Sequence, residues 1–203
     1  MSLSEPELIS LRRELHQIPE IGMEEYETQA LLLQTIKKMP QTWLEIKTWK
    51  TAILVHVIGQ NHNYTIGYRT DIDALPVTEA TGLPYTSKHP GKMHACGHDI
   101  HMTVAIGVLS YFAEHQPTTN LTFIFQPAEE NASGGKQLYD AGILDQWMPD
   151  EIYGLHDNPQ LPAGVIGCCQ GTLFAGTCEI HAHFIGKSGH AAFPQDANDM
   201  VVA

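Results

Sequence analysis

Apolar residues recur at helical spacing in four segments of the chain, and each segment predicts an α-helix. The first begins with Ser4 and Glu7, which have the spacing of a capping box, and continues with Leu8, Leu11 and Leu15. The other three predicted helices span about residues 25–38, 100–115 and 135–141.

Four short runs of apolar residues, many of them β-branched or aromatic, lie between these helices and predict β-strands. The runs span residues 52–58, 64–68, 121–125 and 151–155. Helices that alternate with apolar strands are typical of an α/β fold, in which helices cover both faces of a central sheet. We therefore predict an α/β domain.

The pattern changes near residue 176. Residues 177–185 alternate between polar and apolar side chains, which predicts a half-exposed strand, and a glycine-rich turn follows at 186–189. We predict a first domain over residues 1–175 and the beginning of a second over residues 176–203.

The composition excludes some partners. The chain has 23 acidic and 11 basic residues and a formal net charge of -12, which disfavours nucleic acid and anionic membranes and favours cations. The first residues lack the basic and apolar regions of a signal peptide, and no run approaches the ~18 apolar residues of a membrane span. Because the four cysteines show no disulfide spacing, we expect a reduced, cytoplasmic setting.

Acidic or imidazole side chains directly follow three of the predicted strands. They are Asp71 and Asp73, then Glu129 and Glu130, then His156 and Asp157. Any one of these groups alone is also typical of a solvated acidic loop. In open α/β sheets, however, ligands bind beyond the carboxyl ends of the strands, so the three together predict one pocket that attracts cations.

The segment 93–101 carries the strongest local pattern. Cys96 and His98 are preferred ligand types for zinc-like cations, and Gly97 between them lets both turn toward one centre. Asp99 is a candidate to orient an imidazole by a hydrogen bond. We interpret His101, at the start of the next helix, as a packing or capping residue. A cysteine nucleophile at Cys96 is the competing chemistry.

The adjacent carboxylates Glu129 and Glu130 can point in different directions at a strand end. One can then bind a cation while the other acts as a general base, although a solvated acidic turn is the alternative. His190 lies on a tight glycine turn and is a further functional candidate, whereas His181 and His183 fit surface positions.

With these residues in view, the chain resembles the aminoacylase/carboxypeptidase family of dinuclear metallo-amidohydrolases, in the branch of hippurate and auxin-conjugate hydrolases. The motifs that carry the resemblance are residues 11–16 with 19–20, 68–76, 93–99, 125–130, 155–156 and 186–194. Residues 49–51, 71–75 and 199–203 look closest to the N-acetyldiaminopimelate deacetylases of that branch.

The resemblance implies two divalent metal ions (Zn, Mn, Co or Ni). The metal-ligand positions it implies are Cys96, His98, Glu130 and His156. It makes Glu129 the general base, and His190 the lid histidine that polarises the substrate carbonyl. Asp73 falls on a catalytic position directly behind the ligands, and Asp71 is a further candidate there.

The implied fold is a zinc-peptidase-like catalytic domain with a mixed central sheet, interrupted by a ferredoxin-like α+β lid that mediates homodimerisation. The implied reaction removes an acyl group from an N-acyl amino acid, with N-acetyl-L,L-diaminopimelate as the expected substrate. A hippurate hydrolase, a general aminoacylase and a metallo-carboxypeptidase are the alternative activities.

The chain also departs from the family pattern. Residues 131–133 stand where the family usually has glycine, and Gln195 stands where it often has histidine. Family members are nearly twice as long as this chain, so we expect it to lack the last histidine ligand. An inactive metal-binding fragment is therefore the alternative of another class.

Overall fold

The structure is a computed structural model that describes residues 2–174, 180–198 and 200. Its first helix, α1 (Glu5–His16), begins as the capping pattern predicts. The amide and the hydroxyl of Ser4 both donate to the Glu7 carboxylate, at 2.8 and 2.6 Å. Leu11 and Leu15 are buried on its inner face.

The described residues contain five strands, which form one mixed sheet in the order β1-β2-β4-β3-β5. They are β1 (Leu44–Trp49), β2 (Ala52–Val57), β3 (Asn61–Asp71), β4 (Thr119–Gln126) and β5 (Glu151–Gly154). β2 is antiparallel to both β1 and β4, whereas β3 is parallel to both β4 and β5. The predicted α/β class and mixed sheet are confirmed, although β1 was not predicted.

Three further α-helices have bounds within two residues of those predicted. They are α2 (Tyr26–Lys37), α3 (His98–Glu114) and α4 (Gly134–Asp140). Short 3-10 turns occur at Asp145–Trp147 and Pro194–Asp196. None of the described helices combines the length and apolarity that crossing a membrane requires.

The central strand β2 shows that apolar groups cover both faces of the sheet. All six of its residues are buried. Ile53 and Val55 join the larger hydrophobic cluster, together with residues of α1, α2 and α3. Leu54 points the other way, into a smaller cluster with Leu138 and Trp147. Because side chains alternate between the faces of a strand, a strand covered on both sides reads as a continuous apolar run.

The chain separates into two units, Met1–Asn158 and Pro159–Ala203. The sheet and helices α1–α4 belong to the first unit. Residues 180–185 carry no strand, so the half-exposed strand predicted at 177–185 is wrong there, and residues 177–179 lie outside the described part. A strand needs a neighbour for its ladder hydrogen bonds, and none of the described strands lies in this unit. The boundary predicted at 175/176 also lies outside the described residues.

Candidate metal centre

The parallel strands β3, β4 and β5 end at the same edge of the sheet, because parallel neighbours share one direction. β3 ends at Asp71, and Asp73 follows two residues later. β4 ends at Gln126, shortly before Glu129 and Glu130, and β5 ends shortly before His156. The structure therefore brings together the three strand ends that sequence reasoning assigned to one pocket.

A fourth segment meets this edge at the start of α3. The ligand-type atoms of Cys96, His98 and Glu130 all lie within 4.8 Å of one another. The Cys96 Sγ lies 3.5 Å from the Nε2 atom of His156, and the His98 Nε2 lies 3.7 Å from the Glu130 Oε1. The four predicted ligand residues thus form one cluster, although they come from three separate parts of the chain.

Gly97 makes the close spacing of Cys96 and His98 possible. Its φ of 80° lies in the left-handed region, where residues with a Cβ are strained. A Cβ at this position would also collide with the carboxylate of Asp157. Glycine is therefore required here both by the turn and by the approach of the β5 end.

A hydrogen bond gives the imidazole of His98 the orientation that a metal ligand needs. Its Nδ1 donates to the backbone carbonyl of Asp73 at 2.8 Å, so Nε2 is the nitrogen with the free electron pair whenever the ring is neutral. That Nε2 is buried, and no described residue hydrogen-bonds with it. A buried nitrogen that has no hydrogen-bond partner and faces a thiol and a carboxylate fits a bound cation.

His101 lies at the centre of the cluster, which corrects its interpretation as a packing or capping residue. Its Nδ1 contacts Asp71 Oδ1 at 2.7 Å, and its Nε2 contacts Asp157 Oδ1 at 2.9 Å. Its ring centroid lies 4.6 Å from that of His156. The spacing of three residues from His98, which places both on one face of a helix, was the sequence signal that could have identified it.

Asp73 supports two of the candidate ligands from behind. It is fully buried, and its Oδ2 accepts the backbone N–H of Glu130 at 2.9 Å. Its backbone carbonyl accepts from His98, as described above. One residue therefore fixes both the imidazole and the backbone of the carboxylate pair.

The surroundings shift the pKa values of two carboxyl groups of the site in opposite directions. Burial disfavours the ionised form of Asp71, but the hydrogen bond with His101 and the nearby His98 and Arg69 outweigh it and lower its pKa to about 2. Burial, followed by the charge of Glu130, raises the pKa of the Glu129 carboxyl. A carboxyl with a raised pKa is a stronger base than an exposed one.

The thiol of Cys96 lies in the same acidic field. Burial and the neighbouring Glu130 raise its pKa to about 12. Since only the thiolate is a good nucleophile, this environment disfavours the cysteine-hydrolase alternative. A divalent cation reverses the effect, because a coordinated thiol loses its proton.

Asp99 orients an imidazole, but that of His16 rather than that of a candidate ligand. The His16 Nδ1 lies 2.6 Å from Asp99 Oδ2, and the Arg12 Nε lies 3.1 Å from the same oxygen. The His16 Nε2 meets Glu79 Oε1 at 3.2 Å. Sequence reasoning assigned His16 no role, because its partners are more than 60 residues away.

His190, predicted to polarise the substrate carbonyl, lies in the second unit. It is exposed, and its Nδ1 accepts the backbone N–H of Ala192 at 3.1 Å. The ring of Phe193 lies 5.8 Å from its own. The role of His190 stays a prediction.

Comparison with known proteins places this cluster in context. Residues 67–202 match the model of peptidase family M20/M25/M40. Over 203 residues the chain is 75% identical to the N-acetyldiaminopimelate deacetylase of Ligilactobacillus salivarius, covering 100% of this chain and 53% of that protein. It is 69% identical over 207 residues to the protein of that name from Lactiplantibacillus plantarum, covering 100% of this chain and 54% of that protein.

Two solved structures share the fold. The YXEP protein of Bacillus subtilis, described as a dinuclear metal binding peptidase from the M20 family, aligns with a TM-score of 0.75 at 38% identity, covering 81% of this chain and 46% of that one. A putative aminohydrolase from methicillin-resistant Staphylococcus aureus aligns with a TM-score of 0.76 at 30% identity, covering 98% and 53%. The chain spans about half the length of the curated relatives it matches.

Proposed function

The chain belongs to peptidase family M20/M25/M40, and from that premise we propose that it carries the metal-binding half of an enzyme that hydrolyses N-acyl amino acids. The observation that carries the proposal is the cluster of a thiol, two imidazoles and a carboxylate at one edge of the sheet. Glu129, the second carboxylate of the pair, directly precedes Glu130 in the chain.

Two divalent cations are the cofactors that this cluster would hold, through Cys96, His98, Glu130 and His156. When bound, such cations polarise a carbonyl group and lower the pKa of water toward neutrality. Support comes from the buried His98 Nε2, which has no described hydrogen-bond partner, and from the ligand-type atoms of Cys96, His98 and Glu130, which lie within 4.8 Å of one another. Thiol, imidazole and carboxylate ligands accommodate Zn, Mn, Co or Ni.

Glu129 is the proposed general base. Its carboxylate takes a proton from the attacking water and passes it to the leaving amine, because the same group is a base before the transfer and an acid after it. The raised pKa of Glu129 supports both halves of this cycle. Asp73 keeps the pair in place through the Glu130 amide, and His190 is the proposed contact to the substrate carbonyl.

N-acetyl-L,L-diaminopimelate is the proposed substrate. The support is the name of the relatives at 75% and 69% identity, N-acetyldiaminopimelate deacetylase. Other N-acyl amino acids, such as hippurate, and peptides are the alternatives that a substrate panel separates.

We further propose a cytoplasmic homodimer that associates through residues 176–203, which we predict to begin a lid domain. The resemblance of residues 186–194 to the family lid motif supports association through this segment. By a full-length version we mean this chain extended to the length of its curated relatives. Light scattering should give the mass of a dimer for that version, and the mass of a monomer would contradict the proposed dimer.

The experiment that tests the proposal measures acetate release from a panel of N-acyl amino acids, with Zn, Mn, Co or Ni added, for this chain and for a full-length version. We expect the full-length version to prefer N-acetyl-L,L-diaminopimelate and to lose activity to a chelator. Metal binding without acetate release by this chain, beside an active full-length version, would indicate an inactive metal-binding fragment. Loss of activity to a thiol alkylator but not to a chelator would instead indicate a cysteine hydrolase.

A further inference from the structure

Glu25 is a fully buried acid outside the candidate ligand set. None of the described Lys or Arg side chains forms an ion pair with it. Its Oε1 instead accepts the backbone N–H of Ala128 at 2.9 Å, and its Oε2 accepts the hydroxyl of Thr51 at 2.5 Å. Burial disfavours the charged form of a carboxylate, so a carboxylate that is completely removed from water must be stabilised by hydrogen bonds.

The partner of Glu25 is the residue directly before the carboxylate pair. Ala128 has a φ of 52°, a left-handed conformation that is strained for a residue with a side chain. Its carbonyl accepts the N–H of Gly134 at 2.9 Å. Gly22 packs so closely that a Cβ there would lie 2.7 Å from the Ala128 Cα. The turn at Ala128 is therefore imposed by its surroundings.

Glu129 consequently lies between two backbone amides that are each held by a buried acid. The amide of Ala128 donates to Glu25, which precedes α2, and the amide of Glu130 donates to Asp73, which follows β3. The two acids come from different parts of the fold. Removal of one acid should therefore leave the hydrogen bond between the other acid and its amide intact.

We propose that Glu25 is a positioning residue for the general base: its hydrogen bond to the Ala128 amide fixes the strained turn that presents Glu129 to the metal centre. This inference rests on the proposed role of Glu129. Because Asp73 holds Glu130 independently, loss of Glu25 displaces Glu129 more than it displaces the candidate ligand.

The turnover test compares variants of a full-length, metal-loaded version. Glu25→Ala should lower kcat at least about tenfold and leave KM within about twofold, because a small misplacement of a reacting group is costly. Glu25→Gln keeps an oxygen that can accept the Ala128 amide and should restore most of kcat. The matched control Thr51→Val removes the hydroxyl bond to the Glu25 Oε2 but not the bond to the Ala128 amide, and it should stay near wild type.

Three outcomes of this comparison would overturn the inference. They are a wild-type kcat in a folded Glu25→Ala protein, equal losses in the Ala and Gln variants, and an equal loss in Thr51→Val. If Glu25→Ala does not fold, Glu25→Asp, which is one methylene shorter, tests the same contact with the same expected loss of kcat.

A second readout does not depend on turnover. Amide hydrogen exchange in this chain, measured with a chelator present, should show the Ala128 N–H at least about tenfold less protected in Glu25→Ala, with Leu109 in α3 unchanged. Unaltered protection of Ala128 would overturn the inference. If the wild-type full-length version released no acetate from any substrate, the proposed function would fail, whereas the exchange result would still decide whether Glu25 holds the turn.

Discussion

Two buried histidines four residues apart show how strongly local surroundings set the chemistry of a side chain. Burial lowers the pKa of His98, but the hydrogen bond to Asp73 and the charges of Asp71, Asp73 and Glu130 outweigh it, so the net shift is upward. For His94, burial dominates and lowers the pKa to about 4. No described residue hydrogen-bonds with either ring nitrogen of His94.

His94 should therefore make the metal-free protein less stable in acid. Between pH 6.5 and about 4 the unfolded state binds more protons than the folded state, so stability is fully present above pH 6.5 and falls as the pH falls. The gap corresponds to about 3 kcal/mol. His94→Leu should lose this part of the pH dependence in chelator-treated urea unfolding, whereas the exposed His62→Leu should keep it. Identical pH profiles for His94→Leu and wild type would contradict the assignment.

Glu129→Gln tests the base directly in a full-length version. The amide cannot take the proton, so we expect kcat to fall about 10²- to 10⁴-fold while metal content stays at the wild-type level. Acetate release and elemental analysis measure the two quantities, and Glu45→Gln, an exposed position on β1, is the matched control. Retained turnover in Glu129→Gln would refute the role.

A cation pocket could be predicted from the sequence because the Cys96–His98 pair and three strand-end groups point to it together, and the family resemblance then implied the ligand set. His101 and Glu25 could not, since their importance depends on partners far along the chain. His101 meets Asp71 and Asp157 only once β3 and β5 are aligned. Glu25 meets Ala128 only once α2 has packed beside the β4 end.

At the scale of elements, the centre depends on how α3 begins. The helix starts at His98, one residue after the left-handed Gly97, so the turn and the first ligand of the helix are fixed together. The β5 end packs directly against this turn through Asp157. The start of α3 and the end of β5 therefore cannot shift independently.

Gly97→Ala should consequently damage the centre more than backbone strain alone explains. Gly91 has a similar φ of 75°, but a Cβ added there would meet no atom of the described residues within 4 Å, so Gly91→Ala carries the strain without the collision. The strain costs about 1–2 kcal/mol in each variant. We expect Gly97→Ala alone to lower Zn²⁺ affinity, at least about tenfold by calorimetry. Equal affinities in the two variants would show that the contact with Asp157 is unimportant.

Elements were predictable where one physical signal dominated. The capping pair and leucine spacing gave α1, and continuous apolar runs gave the covered strands β2 and β4. β1 was missed because it is an edge strand in which only Leu44 of the six residues is buried, so it contains no apolar run. The strand at 177–185 was predicted from alternation alone, which indicates a strand only when a neighbouring strand supplies hydrogen bonds.

At the scale of the whole molecule, the candidate ligands and both hydrophobic clusters belong to the first unit, Met1–Asn158. A protein ending at Asn158 should therefore unfold cooperatively and bind the same number of metal ions as the 203-residue chain. Calorimetric unfolding and elemental analysis measure these properties. Loss of the cooperative transition would show that the first unit needs the residues that follow it.

We propose that Cys96, His98, Glu130 and His156 surround a pair of cations. Anomalous diffraction at the metal edge, from crystals of the protein soaked in Zn²⁺ or Mn²⁺, would locate the bound ions. We expect two peaks, about 3.5–4 Å apart, within bonding distance of these four side chains. Peaks only at other sites, with no metal bound by these four side chains, would contradict it.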